Sequence, residues 1–218
     1  MMKRWKLRRL QNRYYRGDAT AIPEYLATLA QSRTRPTGRA VHLGAGGHHL
    51  DGWINVDVLP DGADLLADFA HALPFRSESV DFLHSEDLLE HLDVAAGKAL
   101  LSECHRVLKR GGVMRLLTPD LRALIQRVYI DRNASHLAWC SDTLAAGGAC
   151  EALNMHLRMN GEHRFVYDEE HLTNVLRATG FRVRRVRWNE SRVPELRWLD
   201  LRDFGLNLFV EAVKPVSS

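Results

Sequence analysis

The sequence predicts an open α/β sheet with helices on both faces, and two observations carry that expectation. Short apolar runs of strand type alternate with stretches of helical period along most of the chain. In addition, Gly44, Asp57, Asp68 and Ser85 each follow or finish a proposed strand. That gathers them on one rim, beyond the carboxyl ends of the strands, where open α/β sheets bind ligands. With 218 residues, 45% apolar and 26% charged, the chain suits one soluble domain with a full core.

The opening segment places Leu7, Leu10 and Tyr14 at helical spacing among Lys3, Arg4, Lys6, Arg8, Arg9, Arg13 and Arg16, with no acid before residue 18. The formal net charge of +3 is therefore local, and the remainder is net acidic. Residues 1–35 read as a basic helical extension: either a solvated arm or cap, or a contact to a membrane surface or acidic partner made by residues 1–17. Its second helix is expected near Ile22–Gln31, with Pro23 in the first turn. A nucleic-acid-binding domain would spread its positive charge over a folded face, so no nucleic acid is expected as partner.

The turn Pro36-Thr-Gly38 launches a strand at Ala40–Leu43, and a second strand, Trp53–Val58, follows a glycine turn. A brief strand near Asp64–Ala67 ends at Asp68, and Val80–His84 is the next buried strand. Val94–Leu108 is expected as a helix stopped by Gly111-Gly112, followed by a strand at Val113–Leu117. Thr118-Pro119-Asp120 opens a helix to about Tyr129, and residues 134–165 read as a helical insertion. Asp168 is placed to N-cap a helix ending at Gly180, and Arg182–Trp188 and Leu206–Val213 are the last strands.

Within Val41-His-Leu-Gly-Ala-Gly46, Gly44 and Gly46 permit a sharp turn and a close approach of backbone to ligand. Asp57 can accept two hydrogen bonds from a vicinal diol. The pattern points to a ribose-bearing ligand. A nicotinamide dinucleotide fits poorly, because His49 stands where the third glycine of G-x-G-x-x-G belongs and the acid arrives too early. The link also leaves little room for a crossover helix, and the chain has no P-loop lysine.

Several segments in order carry a resemblance: Leu43-Gly-Ala-Gly46, Gly52-Trp-Ile-Asn-Val-Asp57, Leu73-Pro-Phe75, Ser79-Val-Asp-Phe82, Leu89-Glu-His91, Arg106-Val-Leu-Lys-Arg-Gly-Gly112, Pro119-Asp120, His163-Arg-Phe-Val-Tyr-Asp168, Glu190-Ser191 and Pro194-Glu-Leu-Arg197. Over residues 39–214 the chain resembles class I S-adenosylmethionine-dependent methyltransferases, and particularly a group of small predicted bacterial ones. The resemblance implies a Rossmann-like, seven-stranded, mainly parallel sheet with Leu206–Val213 inserted antiparallel, and residues 36–218 as the methyltransferase domain. Arg182–Trp188 would then be the edge, its arginines discouraging edge-to-edge pairing rather than forming an acidic-ligand site.

By the same resemblance Gly44, Ala45 and Gly46 would pass beneath the methionine part of S-adenosylmethionine. Asp57 would hold the ribose and Val58 the adenine face; Asp68 would reach the adenine amino group and Phe69 would offer its backbone amide. Ser85 would contact the amino-acid end. The pair before Leu88-Leu-Glu-His91 is Glu86-Asp87, where similar sequences carry Ser-His or another small–polar pair facing the acceptor.

Methyl transfer needs chiefly alignment, and a base only where the acceptor must lose a proton. The candidates are Glu86, Asp87, His91, His163 and Tyr167; Trp188 and Trp198, with Tyr167, could line an acceptor pocket. No third ligand accompanies Glu86-Asp87, so no metal is expected, and Cys104, Cys140 and Cys150 read as small buried side chains in a reducing compartment. The expected function is methylation of a small molecule, sugar or lipid head group in the cytoplasm. The alternative is a non-catalytic cofactor-binding domain docked by its basic arm to a membrane or complex. His84-Ser-Glu-Asp87 is unlike the Asn/Asp-Pro-Pro-Tyr type of motif of base-modifying methyltransferases.

Overall fold

A computed structural model describes residues 38–144 and 146–216, together with Pro23 and Ala27, which are helical. The basic segment 1–17 and the rest of the expected second helix lie outside the described residues. The strands are β1 (Ala40–Leu43), β2 (Ile54–Asp57), β3 (Leu65–Leu66), β4 (Val80–Glu86), β5 (Leu108–Pro119), β6 (Arg182–Arg185) and β7 (Asn207–Val213). They form one seven-stranded sheet in the order β3-β2-β1-β4-β5-β7-β6. β7 runs antiparallel to both neighbours, and every other pairing is parallel.

Strand alternation divides the sheet into two chemically different faces. Val41, Leu43, Val56, Leu83, Leu116 and Val210 point to one, where they meet α1 (Val94–Val107) and α5 (Glu169–Ala178). α1 is capped by Asp93, whose carboxylate accepts from the Ala96 N–H at 2.8 Å, and buries Leu100, Leu101, Cys104 and Val107. α5 is capped by Asp168, as expected from the sequence, through the His171 N–H at 2.8 Å. Burying these two apolar stripes is the main reason the helices persist at 14 and 10 residues.

The opposite face carries a row of polar side chains paired strand to strand: Asn55, His42, His84, Arg115, Glu211 and Arg184. Loops and one 3₁₀ turn, Pro194–Leu196, cover it, with Leu50 and Trp53 at one end and Leu196 and Leu199 farther along. Arg115 is fully buried. Its Nε donates to Asp200 at 2.5 Å, Nη1 to Glu211 at 3.1 Å and to the Glu190 carbonyl at 2.8 Å, and Nη2 to the Arg187 carbonyl at 3.0 Å and to the other Asp200 oxygen. All five guanidinium N–H groups are therefore used. Arg184 closes the row by pairing with Glu211.

Several boundaries differ from the sequence expectation. The first helix ends at Val107, and β5 begins at Leu108 rather than Val113, because Leu108 already pairs with Val80. Gly111, at φ +79°, lies inside that strand as an irregularity and does not stop the helix. β6 ends at Arg185, and Trp188 leaves the sheet to pack with Leu117 and Phe209. Tyr167 belongs to the core on the other face, so Trp188, Trp198 and Tyr167 do not line one pocket. Cys104 and Cys140 are buried, but Cys150 is exposed.

Asp120 caps α2 (Leu121–Leu124), which widens into π-type turns over Ile125–Ile130. The insertion then forms a hairpin of α3 (Ala134–Leu144) and α4 (Ala149–Arg158). It packs through Cys140 and Ala152 against Leu124, Val128 and Leu206. No helix among the described residues is long and apolar enough to cross a membrane.

Candidate active site

The link from β1 to β2 contains no helix, as its length requires. Gly44 and Gly46 both hold positive φ, +69° and +50°, where a side chain is strained. A Cβ on Gly44 would press on the Leu88 side chain, whereas one on Gly46 would enter open space. The turn is tied to the end of β2 twice. The Gly44 and Ala45 N–H groups donate to the Val56 carbonyl at 2.9 and 3.1 Å, and the Gly46 N–H donates to Asp57 Oδ2 at 2.7 Å.

Asp57 is buried, and its Oδ1 accepts from the Leu59 N–H at 3.0 Å. Each oxygen keeps a second lone pair for another donor. Beside it Val58 and Leu59 are more than half exposed, an apolar wall suited to a flat ring. Asp68 is exposed, and its hydrogen bond from the Ala70 N–H, aided by His71, holds its carboxyl below the usual range. Phe69 is buried in the core. His48 turns towards His42 and His49 towards Asp51 and Asp64, so the adjacent histidines diverge.

Five buried side-chain oxygens have no hydrogen-bond partner among the described residues: Ser85 Oγ, Asp87 Oδ1, Glu90 Oε1, the Tyr167 hydroxyl and Asn207 Oδ1, the first three of them between residues 85 and 90. An unmet buried polar group costs about 1–3 kcal/mol, so this concentration marks a place built for ligand or water. Ser85 lies near the end of β4, opposite Leu43 of β1. Together with the open space at Gly46 and the spare lone pairs on Asp57, it fits a ligand with a ribose at one end and an amino acid at the other.

Glu86 lies on the other side of its strand. Its carboxylate accepts from the Leu201 and Arg202 N–H groups at 2.8 and 3.0 Å and sits 3.9 Å from His84 Nε2. It anchors the 201–202 segment and does not face Ser85. Burial, with Asp87 and Asp200 beside it, pushes its carboxyl up to about 8. A carboxyl that holds its proton more tightly when folded contributes stability that is full below about pH 4.5 and lost as pH rises through 8. The wild type should therefore lose up to roughly 1.4 kcal/mol per pH unit in this window, a slope that Glu86→Gln lacks. Urea unfolding of both proteins across the window checks this; equal slopes would exclude it.

Asp87 adopts φ +52° and pairs with Arg202 at 2.6 Å. Glu90 is fully buried; Thr118 donates to its Oε2 at 3.1 Å, and burial followed by Asp87 raises its carboxyl well above the usual range. Its backbone carbonyl accepts from the Arg164 and Phe165 N–H groups at 2.7 and 3.1 Å, which brings the end of the insertion against the residues after β4.

That contact places His163 on His91, edge to face with centroids 4.9 Å apart. A Glu90 oxygen and one ring nitrogen from each histidine lie within 4.8 Å of one another. The His163 Nδ1 donates to the His156 carbonyl at 2.7 Å, so in the neutral ring Nε2 carries the lone pair. Burial lowers the His163 pKa, which favours that neutral ring. Tyr167, pushed up to about 12 by burial and then Glu90, points its hydroxyl at Gly97 of α1, where a Cβ would lie 2.6 Å away. Glu90 is not among the candidates named from the sequence; its place inside Leu89-Glu-His91 is the signal that could have found it.

Residues 55–116, from β2 into β5, match the family model described as a methyltransferase domain. Among solved structures the chain is similar to an S-adenosylmethionine-dependent methyltransferase from Mesorhizobium loti. The identity is 17%, with 87% of this chain and 97% of that one covered and a TM-score of 0.51. It is likewise similar to an S-adenosylmethionine-dependent methyltransferase from Methanosarcina mazei, at 15% identity, 86% and 96% coverage and a TM-score of 0.50. At these identities the likeness is one of fold. No curated protein matches the sequence.

Proposed function

We propose that this methyltransferase domain, of the class I fold whose cofactor is S-adenosylmethionine, methylates a small molecule, with sugars and lipid head groups as the acceptor classes to test first. One observation carries the reading: the Glu90, His91 and His163 cluster stands where the insertion meets the residues after β4, the strand that carries Ser85. When bound, the cofactor supplies an electrophilic methyl group on a sulfonium, whose displacement leaves a neutral thioether.

The chain's own residues bind and align. Gly44, Ala45 and Gly46 lie beneath the methionine portion, and Ser85 donates to its amino-acid end. Asp57 accepts from the ribose hydroxyls, Val58 and Leu59 cover the adenine, and Asp68 with the Phe69 amide reads its edge. His163 Nε2 takes the proton of an acceptor hydroxyl or amine, and protonated Glu90 or His91 orients that acceptor. Asp87, held by Arg202, adds negative potential that favours the imidazolium formed. Tyr167 supports the loop from the core. A suitably placed general base contributes about 10²–10⁴ in rate.

The test is transfer of labelled methyl from S-adenosylmethionine into a small-molecule cell extract and then into fractionated sugars and lipids. His163→Asn, whose amide nitrogen stands where Nδ1 does and can keep the donor to the His156 carbonyl, should lower label incorporation about 100-fold or more with cofactor affinity unchanged. Tight S-adenosylhomocysteine binding without labelled product from any fraction would instead support a non-catalytic binding domain.

A further inference from the structure

We propose a second site, for a single zinc-class divalent cation, held by His136, Cys140 and His156 within the helical insertion. It uses none of the side chains assigned to methyl transfer, sharing with that reading only the His156 backbone carbonyl that holds His163.

His136 and Cys140 are four residues apart on α3, so one helical turn brings both to the same face. His156 reaches them from α4, the antiparallel partner in the hairpin. One donor atom from each lies within 4.8 Å of the other two. The Cys140 Sγ to His156 Nε2 distance is 3.5 Å and the His136 Nε2 to His156 Nε2 distance is 2.9 Å.

Tetrahedral zinc, with bonds of about 2.0–2.1 Å to nitrogen and 2.3 Å to sulfur, separates its donors by about 3.5 Å for a nitrogen–sulfur pair and 3.3 Å for two nitrogens. The sulfur contact already has that length, and the two imidazoles need to part by only about 0.4 Å. They now stack at 21°, so one ring must also turn about its Cβ–Cγ bond to bring the ion into both ring planes.

The surroundings suit a metal better than an accidental histidine pair. Cys140 is fully buried and both histidines are half-buried. Trp139 packs on both rings, with centroids 5.7 and 5.9 Å away. Thiolate and imidazole donors together select a borderline-soft ion over magnesium or calcium. Binding would exchange the Cys140 S–H for a metal–thiolate bond and release the proton to solvent. The fourth position goes to water.

The effect would be to clamp α3 to α4 across a short link, in a hairpin that makes only a small core of its own.

Untagged protein grown with added zinc and dialysed against metal-free buffer should retain about one zinc per chain by plasma mass spectrometry. Cobalt substitution should produce a thiolate-to-metal charge-transfer band with tetrahedral d–d absorption. Cys140→Ser should abolish the band, and both Cys140→Ser and His136→Gln should lower retained zinc by roughly tenfold or more. Cys150→Ser, which changes the exposed cysteine nearby, should keep both. Chelator should lower the thermal midpoint of the wild type and leave that of His136→Gln unmoved. Wild-type protein retaining no zinc and giving no thiolate–cobalt band overturns the proposal. So does a band that survives in Cys140→Ser or, if that variant fails to fold, zinc retention that survives in His136→Gln.

Discussion

Replacing Arg115 by leucine is expected to destabilise the protein by about 3–5 kcal/mol, the penalty for removing one partner of a buried ion pair. At this chain length that corresponds to a thermal midpoint lower by roughly 10 °C. The reason is the state of what remains. Asp200 loses both guanidinium contacts and keeps only the Asn189 N–H, at 2.6 Å. Glu211 keeps Arg184, and the Arg187 and Glu190 carbonyls each lose the hydrogen bond from Arg115, the Arg187 carbonyl still accepting from the Glu190 N–H at 3.0 Å. Combining Arg115→Met with Asp200→Asn should recover much of the loss, because replacing the members of a buried pair together is often near neutral. Thermal unfolding followed by circular dichroism decides the matter. A single-variant loss below about 1 kcal/mol would mean that covering the face, and not the ionic contacts, holds residues 187–200 in place.

Asp57→Ala should weaken S-adenosylhomocysteine binding by at least about 100-fold in calorimetry, since hydrogen bonds to a charged acceptor are worth about 1.5–3 kcal/mol each and two would be lost. The same carboxylate also orders the glycine turn through the Gly46 and Leu59 N–H groups. Asp57→Asn separates these contributions. It retains one acceptor oxygen for the turn but presents an amide donor to one hydroxyl, so its affinity should fall between the two. The sheet itself should remain, because Asp57 ends its strand and contributes little apolar area. An unchanged dissociation constant for Asp57→Ala would remove this residue, and with it the site, from cofactor binding.

The rim was legible because its signals are local. Gly44, Gly46, Asp57 and Asp68 declare themselves by backbone needs and by position after apolar runs. The antiparallel β7 between β5 and β6 was not read from spacing; it came with the family resemblance, since pairing order is a long-range property. The polar row was hidden for a different reason. Asn55, His42, His84 and Arg115 alternate with apolar residues, which by itself describes a strand with one wet face. Only the covering segment 186–201, which has no periodicity to announce it, makes that face dry. Glu86 was misplaced by the same ambiguity, since one residue along β4 is the opposite face of the sheet. His136 and Cys140 share a helical face by simple spacing, but His156 joins them only because α3 and α4 fold back on each other.

The row from Asn55 to Arg184 also fixes the alignment of the strands during assembly. Sliding one strand of the six by a single residue would turn its polar member into the apolar layer under α1 and α5 and bring its neighbour in sequence into the row, Met114 or Leu116 against Asp200 in the case of β5. An all-apolar sheet would tolerate such slips at modest expense, and each slipped form would compete with the native one. Here every misaligned pairing strands a charge, an amide or an imidazole, so correct alignment is recognised chemically. The buried ions act as a checksum on the topology, and the arrangement that satisfies all of them at once also brings Gly44, Asp57 and Ser85 to the same end of the sheet.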